Sequence, residues 1–255
     1  MVTLRFLGTG PARGRPGQGR SHRTESSLLV RSDDTAILID ATRDLVEQAR
    51  LLPRVDLVLI THSHRDASGG VYQLDRRLRS SVELLSSRAT VRRLKERYRH
   101  LSMLELTAVS SGHTTRWRDW RITSLVVPHS ADCTTLAWRL EHAGVSIVYA
   151  SDVARLTAKL AALCAGCNLL VLDGAMWRRR IFSHLEIQST APIVARWPVD
   201  RILFTQIGRS TPAHEPLERW LRRVDPRIGA AYDGLELQLT SSSGRRRRAG
   251  RTGRP

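Results

Sequence analysis

The sequence predicts a layered α/β protein, and three observations carry that prediction. Short apolar runs alternate with helical periodicities, 41% of the residues are hydrophobic, and no interior linker splits the chain. A search for repeats of roughly 20–50 residues finds none. With 255 residues and that apolar content the chain can bury a substantial core. Collagen, a disulfide-stapled miniprotein and wholesale disorder are excluded.

Residues 2–7 alternate apolar and polar as a strand, and 27–30 and 36–39 read as two more around the turn Ser32-Asp33-Asp34. Between the first two, Gly8 to Arg23 holds Gly14, Gly17, Gly19 and two prolines, which predicts a long surface loop. Leu45, Ala49 and Leu52 repeat at helical spacing up to Pro53. Residues 55–60 read as a buried strand, their last four all apolar. Helices are expected over 71–78, 88–97, 156–163, 185–197 and 216–223. Strands are expected over 82–85, 121–127, 134–141, 145–150, 169–172, 201–204, near Ile228 and over 235–239. Residues 1–240 thus read as one domain and 241–255 as a disordered arginine-rich tail.

Lys and Arg number 41 against 24 acidic residues, a net charge of +17. All but Lys95 and Lys159 are arginines, a skew that GC-rich coding produces without selection for arginine chemistry. The tail holds six arginines and no acid, so +11 belongs to the rest. A positive surface attracts polyanions through counterion release, without naming them. No apolar run approaches the ~20 residues that cross a bilayer. The first strand starts without a signal-peptide pattern, and three cysteines suit a reducing compartment, so a cytoplasmic protein is expected.

Thr61-His62-Ser63-His64-Arg65-Asp66 directly follows the buried strand 55–60. Two histidines at i and i+2 in a loop leaving a strand can aim both imidazoles at one point, and Asp66 adds a hard oxygen donor. Gly69-Gly70 then permits a tight turn. Imidazole with carboxylate suits Zn²⁺ and, less selectively, Mn²⁺ or Fe.

The motif resembles the first motif, HxHxDH, of the metallo-β-lactamase-fold hydrolases. Val127-Pro128-His129-Ser130 resembles their third-histidine segment, and Tyr149-Ala150-Ser151-Asp152 their bridging-aspartate segment. Leu7-Gly8-Thr9-Gly10, the strand at Ser26-Ser27-Leu28-Leu29-Val30 and Tyr232-Asp233-Gly234-Leu235-Glu236 are similar to one branch. That branch includes the cyclic-phosphate phosphodiesterase of the carbon–phosphorus lyase pathway and tRNase Z. Ser183-His184-Leu185 resembles its additional histidine near the substrate phosphate. The resemblance runs from about Met1 to Leu239 in the family's order and implies an αββα sandwich. It implies metal ligands at His62, His64, Asp66, His129 and Asp152, with Asp66 orienting a water and His184 protonating a leaving oxygen.

Two departures accompany it. Ala67 stands where the first motif ends in histidine, and Gln206, after Thr205, stands where the family has its final histidine. The resemblance then implies a weakened or absent second metal site and one zinc per chain, with Mn or Fe as alternatives. His22, His113 and Asp132 are candidate replacement ligands. The expected function is metal-dependent hydrolysis of an anionic phosphoester, either a cyclic phosphate or a nucleic-acid phosphodiester. The rival is a degenerate module that binds nucleic acid or a phosphorylated ligand, and thioester or lactam hydrolysis stays open. No membrane partner is expected, and a homo-oligomer is compatible with the sequence. Arg178-Arg179-Arg180 is the basic run nearest the site. Cys164-Ala165-Gly166-Cys167 lacks a second pair and reads as core, as does Cys133, while Asp173-Gly174 reads as a turn whose position near the ligand-bearing sheet edge keeps a ligand role open.

Overall fold

Alternation along the strands decides which side chains face the centre of the molecule. In β1 (Val2–Gly8), Val2, Leu4 and Phe6 point one way, and Ile37 and Ile39 of β3 (Ala36–Ile39) join them. Leu57 and Leu59 of β4 (Leu57–Leu59) add to that layer, whereas Val58 and Leu38 pack on the opposite side. The same period of two recurs in β10 (Val145–Ala150) and β11 (Leu169–Asp173), where Ile147, Tyr149, Leu169 and Val171 face inward.

The computed structural model describes residues 1–52, 54–178 and 182–241. Arg179 and Arg180 of the basic run, Pro53 and the expected tail from residue 242 onward lie outside the described residues. The remaining strands are β2 (Ser27–Arg31), β5 (Val82–Ser87), β6 (Leu104–Val109), β7 (Thr114–Trp117), β8 (Trp120–Val127), β9 (Thr135–His142), β12 (Ile202–Thr205), β13 (Ile228–Ala230) and β14 (Glu236–Leu239). They form two seven-stranded sheets, ordered β14-β1-β2-β3-β4-β5-β6 and β13-β12-β11-β10-β9-β8-β7. The inward faces share one apolar layer. Helices α1 (Leu45–Gln48), α3 (Val71–Asp75) and α4 (Arg88–Arg97) cover the first sheet's outer side. On the second sheet α5 (Ala158–Cys164), α6 (Ile187–Val194) and α7 (His214–Val224) do the same. The expected αββα sandwich is the observed one.

Local chemistry sets the ends of these elements. Ser87 and Thr157 cap α4 and α5 by accepting from the N–H groups of Thr90 and Leu160. Ala143 and Gly144, both at positive φ, turn β9 back into β10. A short helix α2 (Arg65–Ser68), β6 and β7 were not expected from the sequence. The expected surface loop at 8–23 is exposed over most of 12–22, but it has internal structure and buried ends. It contains a helical turn at Gly19–Ser21 and pairs Gly10 with Glu25 and Arg15 with Arg23, and Arg23 is only 1% exposed. The Arg23 guanidinium donates to Thr9 Oγ1 and the Ala231 carbonyl, binding the loop to the far end of the chain.

Strands β4, β8, β10, β11 and β12 all end at one edge, where loops from both sheets converge. Gly208 keeps the loop after β12 close to the segment after β11: a Cβ there would lie 1.8 Å from the Ala175 carbonyl oxygen. Gly208→Ala must therefore push these loops apart, and urea denaturation should show a loss of about 1–3 kcal/mol, the usual cost of overpacking.

Candidate metal centre

His62 follows β4 and is completely buried. Thr61 gives both its backbone N–H, at 2.8 Å, and its hydroxyl, at 3.0 Å, to the carboxylate of Asp40 beyond β3. With its hydroxyl proton so committed, Thr61 Oγ1 accepts from His62 Nδ1–H at 2.9 Å. His62 Nε2 is then left with its lone pair, buried and without a partner. The other two imidazoles are tied in the same way. His129, after β8, donates Nδ1–H to the Ser183 carbonyl at 2.7 Å, and His64 Nε2 lies 3.1 Å from both oxygens of Asp132. Each ring keeps one nitrogen to offer, as metal-ligating histidines do.

The three rings lie edge to face, with centroids 4.7, 5.1 and 5.5 Å apart. One ligand atom from each falls within 4.8 Å of the others. An orphaned buried nitrogen in a cluster of oriented imidazoles fits a divalent cation, and imidazole suits Zn²⁺. The fold implies such an ion, and His62, His64 and His129 are the residues fitted to hold it.

Asp152, after β10, lies 3.9 Å from His129 Nε2, and Asp66 lies 3.9 Å from His62 Nε2. Burial pushes the Asp152 carboxyl up, but His62, His129 and His184 outweigh it and hold it below the usual range. Burial lowers His62 against the pull of Asp152 and Asp66. Between the two carboxylates stands Gln206. Its Nε2 donates to Asp152 Oδ1 at 2.8 Å and lies 3.5 Å from Asp66 Oδ2, while its buried Oε1 has no partner. Gln206 takes a left-handed φ of 58°, held by its N–H to Ser26 Oγ at 2.9 Å. Ala67 is buried nearby in α2 and offers no donor.

His184 stands against His129 with ring centroids 4.9 Å apart, and its Nδ1 bonds Asp173 Oδ2 at 2.7 Å. Burial would lower it, but Asp173 carries it up to about 9. Asp173 thus orients a site histidine rather than only turning the chain. Cys133 is also displaced from its expected core position: half-buried, it contributes to a cluster with His64 and Asp132. Of the candidate replacement ligands only Asp132 reaches the centre; His22 and His113 are exposed and join no such cluster among the described residues. A cavity of about 400 Å³ opens onto the group, lined by Arg13, Arg43 and Arg65 beside His64, Asp66 and His184. Buried Glu25 pairs with Arg43 and accepts the Arg13 N–H.

Sequence reasoning missed Asp40 and Thr61, although a carboxylate ending a strand at the motif's own edge was a usable signal. The Ser183 carbonyl carried none.

The model of the beta-lactamase superfamily domain matches residues 35–207, most of the chain and the whole centre. The chain belongs to that superfamily. It is similar, at 25% identity over 258 residues, to an octanoyltransferase of Porphyromonas gingivalis, covering 91% of this chain and 50% of that protein. A ribonuclease Z of Methanopyrus kandleri is 38% identical over 91 residues, 34% of this chain and 29% of the relative. The chain thus spans half or less of the length of these curated relatives. The crystal structure of a diphosphatase from the PhnP family superposes with a TM-score of 0.84 at 23% identity, covering 94% of this chain and 99% of that one. Its agreement establishes the metallo-β-lactamase fold.

The Asp40–Thr61–His62 chain predicts that Thr61→Val lowers zinc affinity about 10–100-fold, the usual cost of losing an outer partner of a ligand; competition with a chromophoric chelator measures it. Burial pushes the Cys164 thiol up and that of Cys167 up to about 12. Both should resist iodoacetamide until the protein unfolds, while Cys133 labels in the native state, as mass spectrometry of peptides would report.

Proposed function

We propose that this chain is a phosphodiesterase with a single metal ion, zinc for preference, held by His62, His64 and His129. The observation that carries the reading is the buried, unpartnered His62 Nε2 within a trio of imidazoles each fixed at its other nitrogen. When bound, such an ion supplies Lewis acidity, lowering the pKa of a water and drawing charge from a phosphoryl oxygen.

The residues of the chain do the rest. Asp66, partly open to the cavity, orients the attacking water and accepts its proton. His184, fixed at Nδ1 by a buried carboxylate, holds a proton at Nε2 for the departing oxygen. Arg13 and Arg65 line the cavity as cations for a phosphoester, whereas Arg43 is already engaged by Glu25. Gln206 and Ala67 support a single ion. An amide that donates to Asp152 and stands within 3.5 Å of Asp66 lies between two carboxylates that would otherwise share a second cation. Cyclic phosphates and nucleic-acid phosphodiesters are the substrate classes in view, the second supported by the positive charge of the chain.

Gln206 also favours one rival, a module that binds phosphorylated ligands without turning them over. Assays with bis-p-nitrophenyl phosphate and with RNA decide between them. Metal-dependent turnover that His64→Ala abolishes supports the enzyme, while salt-sensitive RNA binding without turnover establishes the module. Mass-spectrometric metal counting should give about one zinc per chain. The double substitution Ala67→His with Gln206→His should raise the count toward two, and a wild-type count of two overturns the single-ion centre.

A further inference from the structure

We infer that His64, Asp132 and Cys133 form a second cation site beside the trihistidine group, one that takes a thiophilic divalent ion of the zinc, cobalt or cadmium class. It rests on the proposed function only in sharing His64. One ligand atom from each of the three residues lies within 4.8 Å of the others. His64 Nε2 faces both Asp132 oxygens at 3.1 Å, so a cation can take the place of the proton they now share. Cys133 supplies the donor that sets the class: thiolate favours zinc, cobalt and cadmium over magnesium and calcium.

Its placement complements the rest of the centre. Between Asp66 and Asp152, the amide of Gln206 supplies the bridging donor. The Asp132 and Cys133 donors come from the loop between β8 and β9, and Asp132 faces His64 at Nε2. Asp132 is exposed and Cys133 half-buried, so an ion can enter from solvent and keep solvent ligands beyond three protein donors. Binding there releases the thiol proton and the proton on His64 Nε2 to the medium. With ions in both places His64 bridges them through its two nitrogens, so the second ion binds more weakly than the first.

Cobalt(II) titration of the full chain, followed by absorbance and by counting bound ions, tests the assignment. The expected result is a tighter ion without sulfur ligation and then a weaker one with a near-ultraviolet sulfur-to-cobalt charge-transfer band. Cys133→Ser should remove the band and leave the tighter ion in place. His129→Ala should weaken the tighter ion and keep the band. Saturation of the wild type without a charge-transfer band overturns the site while leaving the trihistidine centre standing, as does a band that survives in Cys133→Ser. Failure to bind any cobalt overturns both.

Discussion

Four carboxylates, Asp40, Asp66, Asp152 and Asp173, converge on one edge of the sandwich, and the cost of burying them governs what surrounds them. Three are essentially inaccessible, and an isolated buried carboxylate is strongly unfavourable without partners. Asp40 and Asp173 are each pushed up, by burial first and also by Asp152. The offsets are specific. Asp40 takes two bonds from Thr61, Asp173 takes backbone N–H groups from Val153 and Ala175 together with His184, and Asp152 takes the hydroxyl of Ser151 and the amide of Gln206. Because all of those partners but His184, which lies shortly before α6, sit in loops directly after a strand, satisfying the carboxylates also fixes the loops.

Orientation of the imidazoles follows from the same network. A neutral histidine offers a lone pair at one nitrogen only, and the partner at the other nitrogen decides which. Asp40 acts on His62 through Thr61, Asp132 acts on His64, and the Ser183 carbonyl acts on His129. The donors come from both sheets, so the trio is assembled only when the sandwich closes.

This explains what could be read from the sequence. The strand 145–150 and the helix 88–97 matched to the residue, because period and capping residues are local properties. His62 and His64 stood out because they follow an apolar strand in a distinctive segment, and His129 and Asp152 because their segments resemble those of the family. The unexpected β6 and β7 carry mixed burial on a sheet edge, which blurs the period of two. Cys133 and Asp173 looked like a core thiol and a turn because their partners, His64 and His184, are 69 and 11 positions away. Arg23 was read into an open loop, since nothing local announces that its guanidinium reaches Ala231.

Gln206 shows most clearly why chemistry at this edge depends on charge rather than on shape. A histidine in its place could give a lone pair to a cation, and the cation would neutralise Asp66 and Asp152 together. The Gln206 amide presents only its N–H donors to the two carboxylates, hydrogen bonds each worth about 1.5–3 kcal/mol when the acceptor is charged, and it carries no compensating charge. The carboxylates therefore keep their negative field, which reaches His62, His129 and His184 at close range. That field draws a cation toward the trihistidine group while the amide stands between the carboxylates themselves. On the proposed single-ion reading, Gln206 closes the place between Asp66 and Asp152 to a cation and leaves their field to act on the trihistidine group.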